Sequence, residues 1–283
     1  MTAITGPIYQ VEKLDETESL TGDTPLLPIH LPQQINQVEL CAKLEYRQLG
    51  RSTQSRVAFA IVKSALLDGQ LDQHKTLIDL ADEAMAMAYG AICARLSIRL
   101  TLVMDEDIPH RILNLIKSLG AEILLSPSGQ QQTMLEQHRA QEPGRFFFAN
   151  HSQHEESWKV HYLGTAREIY HQTSGRITHF VADASQRSLL LGTGKKLKEV
   201  NRDVQLVALQ LHSPEQNPSE MAYADQTIAV DASLVDDRID AFAKESGLII
   251  SRKSAINLIG LERLAASLDE GVIVTVFPDD ASL

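Results

Sequence analysis

The chain has 283 residues, 43% hydrophobic and 22% charged, so it can bury a normal core and is not a disordered tail. Its 26 lysines and arginines against 37 aspartates and glutamates give a net charge of −11. That balance argues against sequence-independent nucleic-acid binding, which needs cations to displace counterions, and against docking on an anionic membrane surface.

Strand-like and helix-like segments alternate from residue 38 onward. In chain order the predicted elements are strand Val38–Tyr46, helix Arg56–Leu67, strand Thr76–Leu80, helix Glu83–Leu96, strand Arg99–Met104, helix Asp107–Leu119, strands Glu122–Leu125 and Arg145–Phe148, helix Gly164–Gln172, strand Thr178–Ala182, helix Ser188–Val200, strand Val204–Leu209, helices Asp236–Ser246 and Ala255–Leu268, and strand Val272–Phe277. This alternation predicts an α/β protein with two open, mainly parallel sheets covered by helices.

The loops after the predicted strands are the places to look for a binding site. In open parallel sheets, ligands bind beyond the carboxyl ends of the strands, where loops lead into helices. The loops that satisfy this condition are Arg47–Arg56, Leu80–Ala86, Asp183–Ser188 and Pro278–Ser282.

Four segments carry recognisable motifs in a fixed order. Residues 21–26 read TGDTPL, residues 43–56 read KLEYRQLGRSTQSR, residues 119–122 read LGAE and residues 161–169 read HYLGTAREI. They resemble the GxTPL, KxEyxNPxGSxKDR, LGAE and HYxGTAxEI motifs of the cysteine synthase and cystathionine β-synthase family. The order and spacing of the resemblance hold from about residue 18 to residue 280.

The resemblance implies fold type II of the pyridoxal-phosphate enzymes, which is tryptophan synthase β-like. It implies a larger α/β domain formed by residues 1–46 and 156–283, and a smaller one formed by residues 47–155. It also implies a homodimer, and an active relative or a pathway enzyme is an alternative partner.

The chain departs from the family in the loops that carry its chemistry. The lysine of the family, which forms a Schiff base with pyridoxal phosphate, falls at Gln54, and a carboxamide cannot condense with an aldehyde. The TSGNTG loop, which binds the substrate carboxylate and the cofactor hydroxyl, falls at residues 81–86. Asp82 and Glu83 would repel a carboxylate there, and Ala84 removes the cofactor contact.

Three further segments also differ. The glycine-rich GTGGT loop, which cradles the cofactor phosphate, is replaced by Ser185, Gln186, Arg187, Ser188 and Leu189. The residue that meets the pyridine nitrogen falls at Asp280 or its neighbour Asp279, and a polar segment, His212–Asp231, replaces a glycine-rich one.

These changes together predict a cysteine synthase-like pseudoenzyme. We expect no bound cofactor, no catalytic residue and no metal, and we expect action through binding or regulation. One alternative is an enzyme that uses a remodelled cleft for different chemistry, with Gln54, Asp82, Glu83, Arg187 and Asp280 as its polar groups. Another is residual pyridoxal-phosphate-dependent lyase or β-replacement activity, with the cofactor held non-covalently or through another lysine such as Lys253.

The same side chains suggest what fills the site in the pseudoenzyme. We expect Arg187 to reach a carboxylate among Asp82, Glu83 and Asp280, so that the cofactor space is filled by the chain itself. The open alternative is a water-filled cleft that binds a small polar ligand.

Other patterns have plain interpretations. The run at residues 191–196, LGTGKK, lacks the first glycine of a phosphate-binding P-loop, so it is interpreted as part of a helix. His151 and His154 are interpreted as members of a polar surface loop, and His161 as a residue that packs or caps a helix. The cysteines Cys41 and Cys93 lie far apart without a CxxC motif, which predicts no cysteine zinc site.

No segment of the sequence predicts a membrane span or a secretion signal. No uncharged apolar run approaches the ~18 residues of a transmembrane helix. Residues 1–13 lack the basic start and apolar run of a signal peptide. We therefore expect a cytoplasmic protein.

Overall fold

The computed structural model describes residues 8–31, 37–212 and 223–282, which form two compact units. One unit contains residues 8–22 and Gln48–Ser157, and the other contains Asp23–Arg47 and Trp158–Ser282. The sequence analysis assigned residues 1–46 to the larger domain. Residues 8–22 instead lie in the smaller unit, because the first helix packs on the helix that spans Glu83–Leu96.

The strands and helices alternate along most of the described chain. The strands are β1 Leu26–Ile29, β2 Gln37–Leu44, β3 Thr76–Leu80, β4 Arg99–Asp105, β5 Glu122–Ser126, β6 Phe146–Phe148, β7 His179–Asp183, β8 Gln205–His212, β9 Gln226–Asp231 and β10 Glu270–Phe277. The helices are α1 Ile8–Ser19, α2 Gln54–Leu67, α3 Glu83–Leu96, α4 His110–Ser118, α5 Gln131–Gln141, α6 Glu156–Val160, α7 Ala166–Gln172, α8 Arg187–Val200, α9 Val235–Ser246 and α10 Arg252–Ala265. A π-helical turn, His161–Thr165, joins α6 to α7.

Each unit is built on one sheet. The smaller unit has four parallel strands in the order β5-β4-β3-β6. The larger unit has six strands in the order β1-β2-β10-β7-β8-β9, and only β1 runs antiparallel to its neighbour. Strand β10 is buried from Val272 to Phe277, as expected of a parallel strand that helices cover on both faces. The predicted pair of mainly parallel sheets is confirmed.

Five elements of the structure are absent from those predicted from the sequence: α1, β1, α5, α6 and β9. Helix α5 carries a single buried residue, Leu135, so its sequence has no apolar face to reveal it. Strand β9 lies in the segment 212–231 that was interpreted only as polar, and residues 213–222 of that segment lie outside the described residues. No helix in the described ranges is long and apolar enough to cross a membrane.

A buried polar network joins the start of the larger unit to α7. The Lys43 ammonium group, whose side chain is fully buried, lies 2.7 Å from Glu168 Oε2 and donates to the Thr24 carbonyl at 2.9 Å and to Gln172 Oε1 at 3.0 Å. The Thr24 hydroxyl donates to Glu45 Oε1 at 2.7 Å. We call these five residues the Lys43 network. Thr24 comes from the GxTPL-like segment, Lys43 and Glu45 from the KxE motif and Glu168 from the HYxGTAxEI motif, and Gln172 follows that motif. The network therefore joins three of the four motifs within the larger unit.

Candidate functional site

Gln54, at the lysine position of the resemblance, is the first residue of α2. Its side chain is half-buried and forms no hydrogen bond with any described residue. The loop before it lies close to α3, where the Ser52 hydroxyl approaches the Ala84 carbonyl at 3.4 Å. Gly50 has a φ of +78°, and a Cβ there would lie 2.8 Å from the Cα of Ala88, so only glycine permits this approach.

Asp82, Glu83 and Ala84 lie together at the amino end of α3. Asp82 is the N-cap residue, and its Oδ1 accepts the Met85 N–H at 2.8 Å. Glu83 occupies the first turn, where a negative charge is favoured by the helix dipole, and Ala84 is buried. The sequence analysis interpreted Asp82 as a group facing a vacated site; in the structure it is a helix cap.

The loop that replaces the phosphate loop is held at its first residue. The Asp183 N–H donates to Asn257 Oδ1 at 2.8 Å, and Asp183 Oδ1 accepts the Ser185 N–H at 2.9 Å. Helix α8 begins at Arg187 without a side-chain cap from Gln186. The Gln186 Oε1 atom is buried and finds no donor in the described residues.

The expected Arg187 ion pair does not form within the larger unit. Arg187 is exposed, and no described carboxylate of that unit, Asp280 included, pairs with it. Its charge acts on the Tyr223 phenol, whose pKa is raised by burial and partly lowered again by Arg187. Asp280 Oδ1 accepts the N–H and the hydroxyl of Ser282 at 2.9 and 2.5 Å. Arg187 therefore does not fill the site by pairing with Asp280.

Asp279, the alternative to Asp280, is tied to the start of α10. Asp279 is buried, and its Oδ1 accepts a hydrogen bond from the hydroxyl of Ser251, the N-cap residue of that helix. Its Oδ2 lies 3.4 Å from the Lys253 ammonium group, which keeps 42% of its side chain exposed. Lys253, the alternative lysine for the cofactor, thus already forms an ion pair with Asp279.

The glycines of the 191–196 run have a packing role. Both lie within α8, and a Cβ on Gly192 would lie 2.2 Å from the Trp158 carbonyl oxygen. A Cβ on Gly194 would lie 2.5 Å from the side chain of Leu206. The structure confirms that the run is helical. His161, on the facing π-turn, is buried with its Nδ1 2.9 Å from the Thr165 hydroxyl, in agreement with a packing role.

Sequence reasoning missed a cluster of titratable groups in the smaller unit. Asp79 is 1% exposed, near the carboxyl end of β3, and its Oδ2 lies 3.0 Å from His151 Nδ1 and 3.1 Å from the Tyr89 hydroxyl. The interpretation of His151 as a surface-loop residue is therefore incomplete. The signal that could have found it is that Asp79 is near the carboxyl end of β3 and that His151 follows β6, the parallel neighbour of β3. In the described ranges, no three potential ligands lie close enough to hold a metal ion.

The residues described above fit pyridoxal phosphate only in part. The first turn of α8 presents N–H groups that no helix carbonyl accepts, and such an end favours a phosphate. Position 54 has no amine to link to the aldehyde, and the Lys43 amine is buried against Glu168. The amino end of α8 favours a phosphate, but Gln186 and Arg187 replace the glycines of the family's phosphate loop, and residue 54 has no amine for the covalent link.

Comparison with known proteins relates most of the chain to one family. The family model described as "Pyridoxal-phosphate dependent enzyme" matches residues 17–222. Cysteine synthase of Aquifex aeolicus is 29% identical over 92% of this chain and 87% of its own length, and cysteine synthase B of Pseudomonas aeruginosa is 26% identical over 91% of each. The crystal structure of O-ureido-L-serine synthase superimposes with a TM-score of 0.84 at 21% identity, over 95% of this chain and 92% of that one.

A hydrogen sulfide-producing enzyme of Fusobacterium nucleatum also superimposes with a TM-score of 0.84, at 22% identity, over 94% of this chain and 97% of that one. The expectation that no cofactor is involved is wrong, because the matching family is pyridoxal-phosphate dependent. The predicted family and fold type are confirmed. The chain belongs to the family of pyridoxal-phosphate dependent enzymes, with the type II fold and with cysteine synthases among its homologues.

Proposed function

We propose that this chain is a cysteine synthase-like pseudoenzyme that does not make cysteine and acts through binding or regulation. The observation that carries the proposal is Gln54 at the first turn of α2, where the resemblance places the Schiff-base lysine. A carboxamide nitrogen is not a nucleophile toward an aldehyde, so the lysine-dependent reaction has no starting point there. The proposal concerns this covalent chemistry and the reaction that depends on it.

The neighbouring loops support the proposal. The amino end of α3, which binds the substrate carboxylate in the family, is capped by Asp82 and followed by Glu83. Two carboxylates at this position oppose the approach of a third. The turn into α8 carries the side chains of Gln186, its N-cap residue, and of Arg187, its first residue, where the family has glycines.

The partner of such a protein is a second copy of the chain or an active relative. We propose a homodimer in the cytoplasm, which follows from the resemblance and the composition. Light scattering of the purified chain, alone and mixed with an active cysteine synthase, separates a self-association from a mixed assembly.

The direct test is an assay of sulfide-dependent cysteine formation from O-acetylserine, with pyridoxal phosphate added in excess. The cysteine synthase of Aquifex aeolicus, assayed in parallel, is the positive control. We expect the chain to form no cysteine above the protein-free background. Cysteine formation above that background would refute the proposal.

A second measurement addresses the alternative in which another lysine carries the cofactor. The protein is incubated with pyridoxal phosphate, reduced with borohydride and mapped by peptide mass spectrometry. The proposal predicts no stoichiometric pyridoxyl-lysine. A stoichiometric adduct on Lys253 that is lost in Lys253→Arg, together with turnover, would support residual lyase or β-replacement activity instead.

A further inference from the structure

The Asp79–His151 pair of the smaller unit is an imidazole held in one orientation by a buried carboxylate. Asp79 Oδ2 accepts the His151 backbone N–H at 3.0 Å and lies 3.0 Å from Nδ1 of the same residue, so backbone and ring are fixed by one oxygen atom. The Tyr89 hydroxyl donates to that oxygen at 3.1 Å, and Asp79 Oδ1 accepts the Leu80 N–H at 2.9 Å. The carboxylate is therefore fully hydrogen-bonded.

This arrangement fixes the tautomer of the imidazole. Tyr89 is fully buried, and burial, reinforced by the Asp79 charge, raises the pKa of its phenol well above the usual value, so the phenol stays a donor. An ionised Asp79 can only accept, and with it the proton of a neutral His151 lies on Nδ1. The lone pair is then on Nε2, which has no partner among the described residues and is not enclosed. The His151 side chain keeps 25% of its surface exposed.

The backbone presents His151 at the carboxyl edge of the sheet. Strands β3 and β6 are parallel neighbours, and Ala149 continues their pairing by donating to the Ile78 carbonyl at 3.1 Å. Asn150 then adopts a left-handed φ of +46°, and its carbonyl accepts the N–H groups of Gln153 and His154 at 3.0 Å. His151 thus stands where ligands of open parallel sheets bind.

A purely structural tie does not require an ionised carboxylate. Burial of a carboxylate costs several kcal/mol unless it is paired, and a neutral amide could accept the same N–H groups. A buried carboxylate behind a partly exposed imidazole is the arrangement that orients a general base in hydrolytic enzymes.

We propose that His151 is a general base for a small protic nucleophile such as water, a hydroxyl compound or a thiol, and that Asp79 is its positioning residue. Nε2 takes the proton as the nucleophile's oxygen or sulfur bonds to an acyl carbon. The leaving oxygen departs with the electrons of its bond to that carbon and then receives the proton from Nε2. With water as nucleophile, ester and water become acid and alcohol, and no oxidant or metal is required. This proposal goes beyond the proposed function, because it does not involve residue 54.

The test uses the full chain and two readouts. Nitrogen-15 NMR of the histidines in the wild-type protein should show His151 with a proton on Nδ1 and none on Nε2 in its neutral form. The hydrolysis of p-nitrophenyl acetate is the reactivity probe, since general-base contributions reach at least about a hundredfold. We expect His151→Gln to lower the protein-dependent rate at least about tenfold.

His154→Gln is the matched control, because His154 lies in the same loop and its Nδ1 accepts only the backbone N–H of Glu156, at 3.2 Å, within the described part of the chain. It should leave the rate within about twofold of the wild type. Asp79→Asn should lower the rate and place the His151 proton on Nε2. If Asp79→Asn does not fold, the proposal is still tested by the tautomer in the wild-type NMR spectrum and by the hydrolysis rate of His151→Gln. An Nε2 proton in the wild type, or an unchanged rate in His151→Gln, would overturn the proposal. Neither result depends on cysteine formation, so the two proposals fail separately.

Discussion

Two polar regions of the larger unit differ in how completely their polar groups are hydrogen-bonded or ion-paired. The Lys43 network is buried, and the Lys43 ammonium group has three partners within 3.0 Å. The start of α8 has an exposed Arg187, and the residue before it, Gln186, has a buried Oε1 atom without a donor among the described residues. Buried networks lose stability when one member changes, whereas exposed loop residues can change at little cost. The scaffold of a cofactor enzyme can therefore persist after its loops have diverged.

The largest effect expected from this comparison follows from breaking the Lys43 network. Lys43→Met removes the buried cation that lies 2.7 Å from the Glu168 carboxylate, so we expect a loss of about 3–5 kcal/mol in the free energy of unfolding. Urea denaturation measures it. Lys63→Met is the control, because Lys63 pairs with Glu18 on the surface and should cost at most about 1 kcal/mol. Equal losses in the two variants would show that burial does not distinguish the pairs.

Asn257 provides the next test, since it holds the loop to the scaffold. Its side chain accepts the Asp183 N–H at 2.8 Å and donates to the Val276 carbonyl at 2.8 Å, and it is fully buried. Asn257→Ala should cost about 1–3 kcal/mol for each group left unpaired. Asn114→Ala, on the exposed face of α4, should stay within about 0.5 kcal/mol of the wild type. A loss as small in Asn257→Ala would mean that the loop is not anchored there.

The cap of α3 should have a smaller effect. Asp82→Ala removes the acceptor of the Met85 N–H, and we expect a loss of about 1 kcal/mol. Asp82→Asn keeps the acceptor and should recover most of that loss in the same denaturation experiment. If Asp82→Ala were as stable as the wild type, the residue would be free for a role other than capping.

Arg187→Ala should have the smallest effect. The side chain is exposed and has no ion pair within the described part of its unit, so the free energy of unfolding should change by less than about 0.5 kcal/mol. A loss above about 1 kcal/mol in urea would reveal a structural partner and would remove the contrast with the Lys43 network.

The sequence predicted the scaffold better than the site, for a physical reason. Burial and local packing depend on residues that are close together in the sequence. They can therefore be predicted from nearly continuous apolar strands such as Val272–Phe277 and from motifs such as HYLGTAREI. The contacts of Asp79 with His151 join residues 72 positions apart, and only the sheet brings them together. The pairing predicted for Arg187 failed within its unit for the same reason, since spacing along the chain does not define where a loop side chain lies.

The measurement that tests the central claim most directly is the rescue of cysteine formation by Gln54→Lys. Residues 81–86 and 185–189 also differ from the family motifs, so the lysine alone should not restore sulfide-dependent cysteine formation from O-acetylserine when pyridoxal phosphate is supplied. Unfolding by urea should show that the variant is folded, because residue 54 is only half-buried. Turnover above the wild-type background in Gln54→Lys would contradict the account and would show that one substitution separates this chain from an active cysteine synthase.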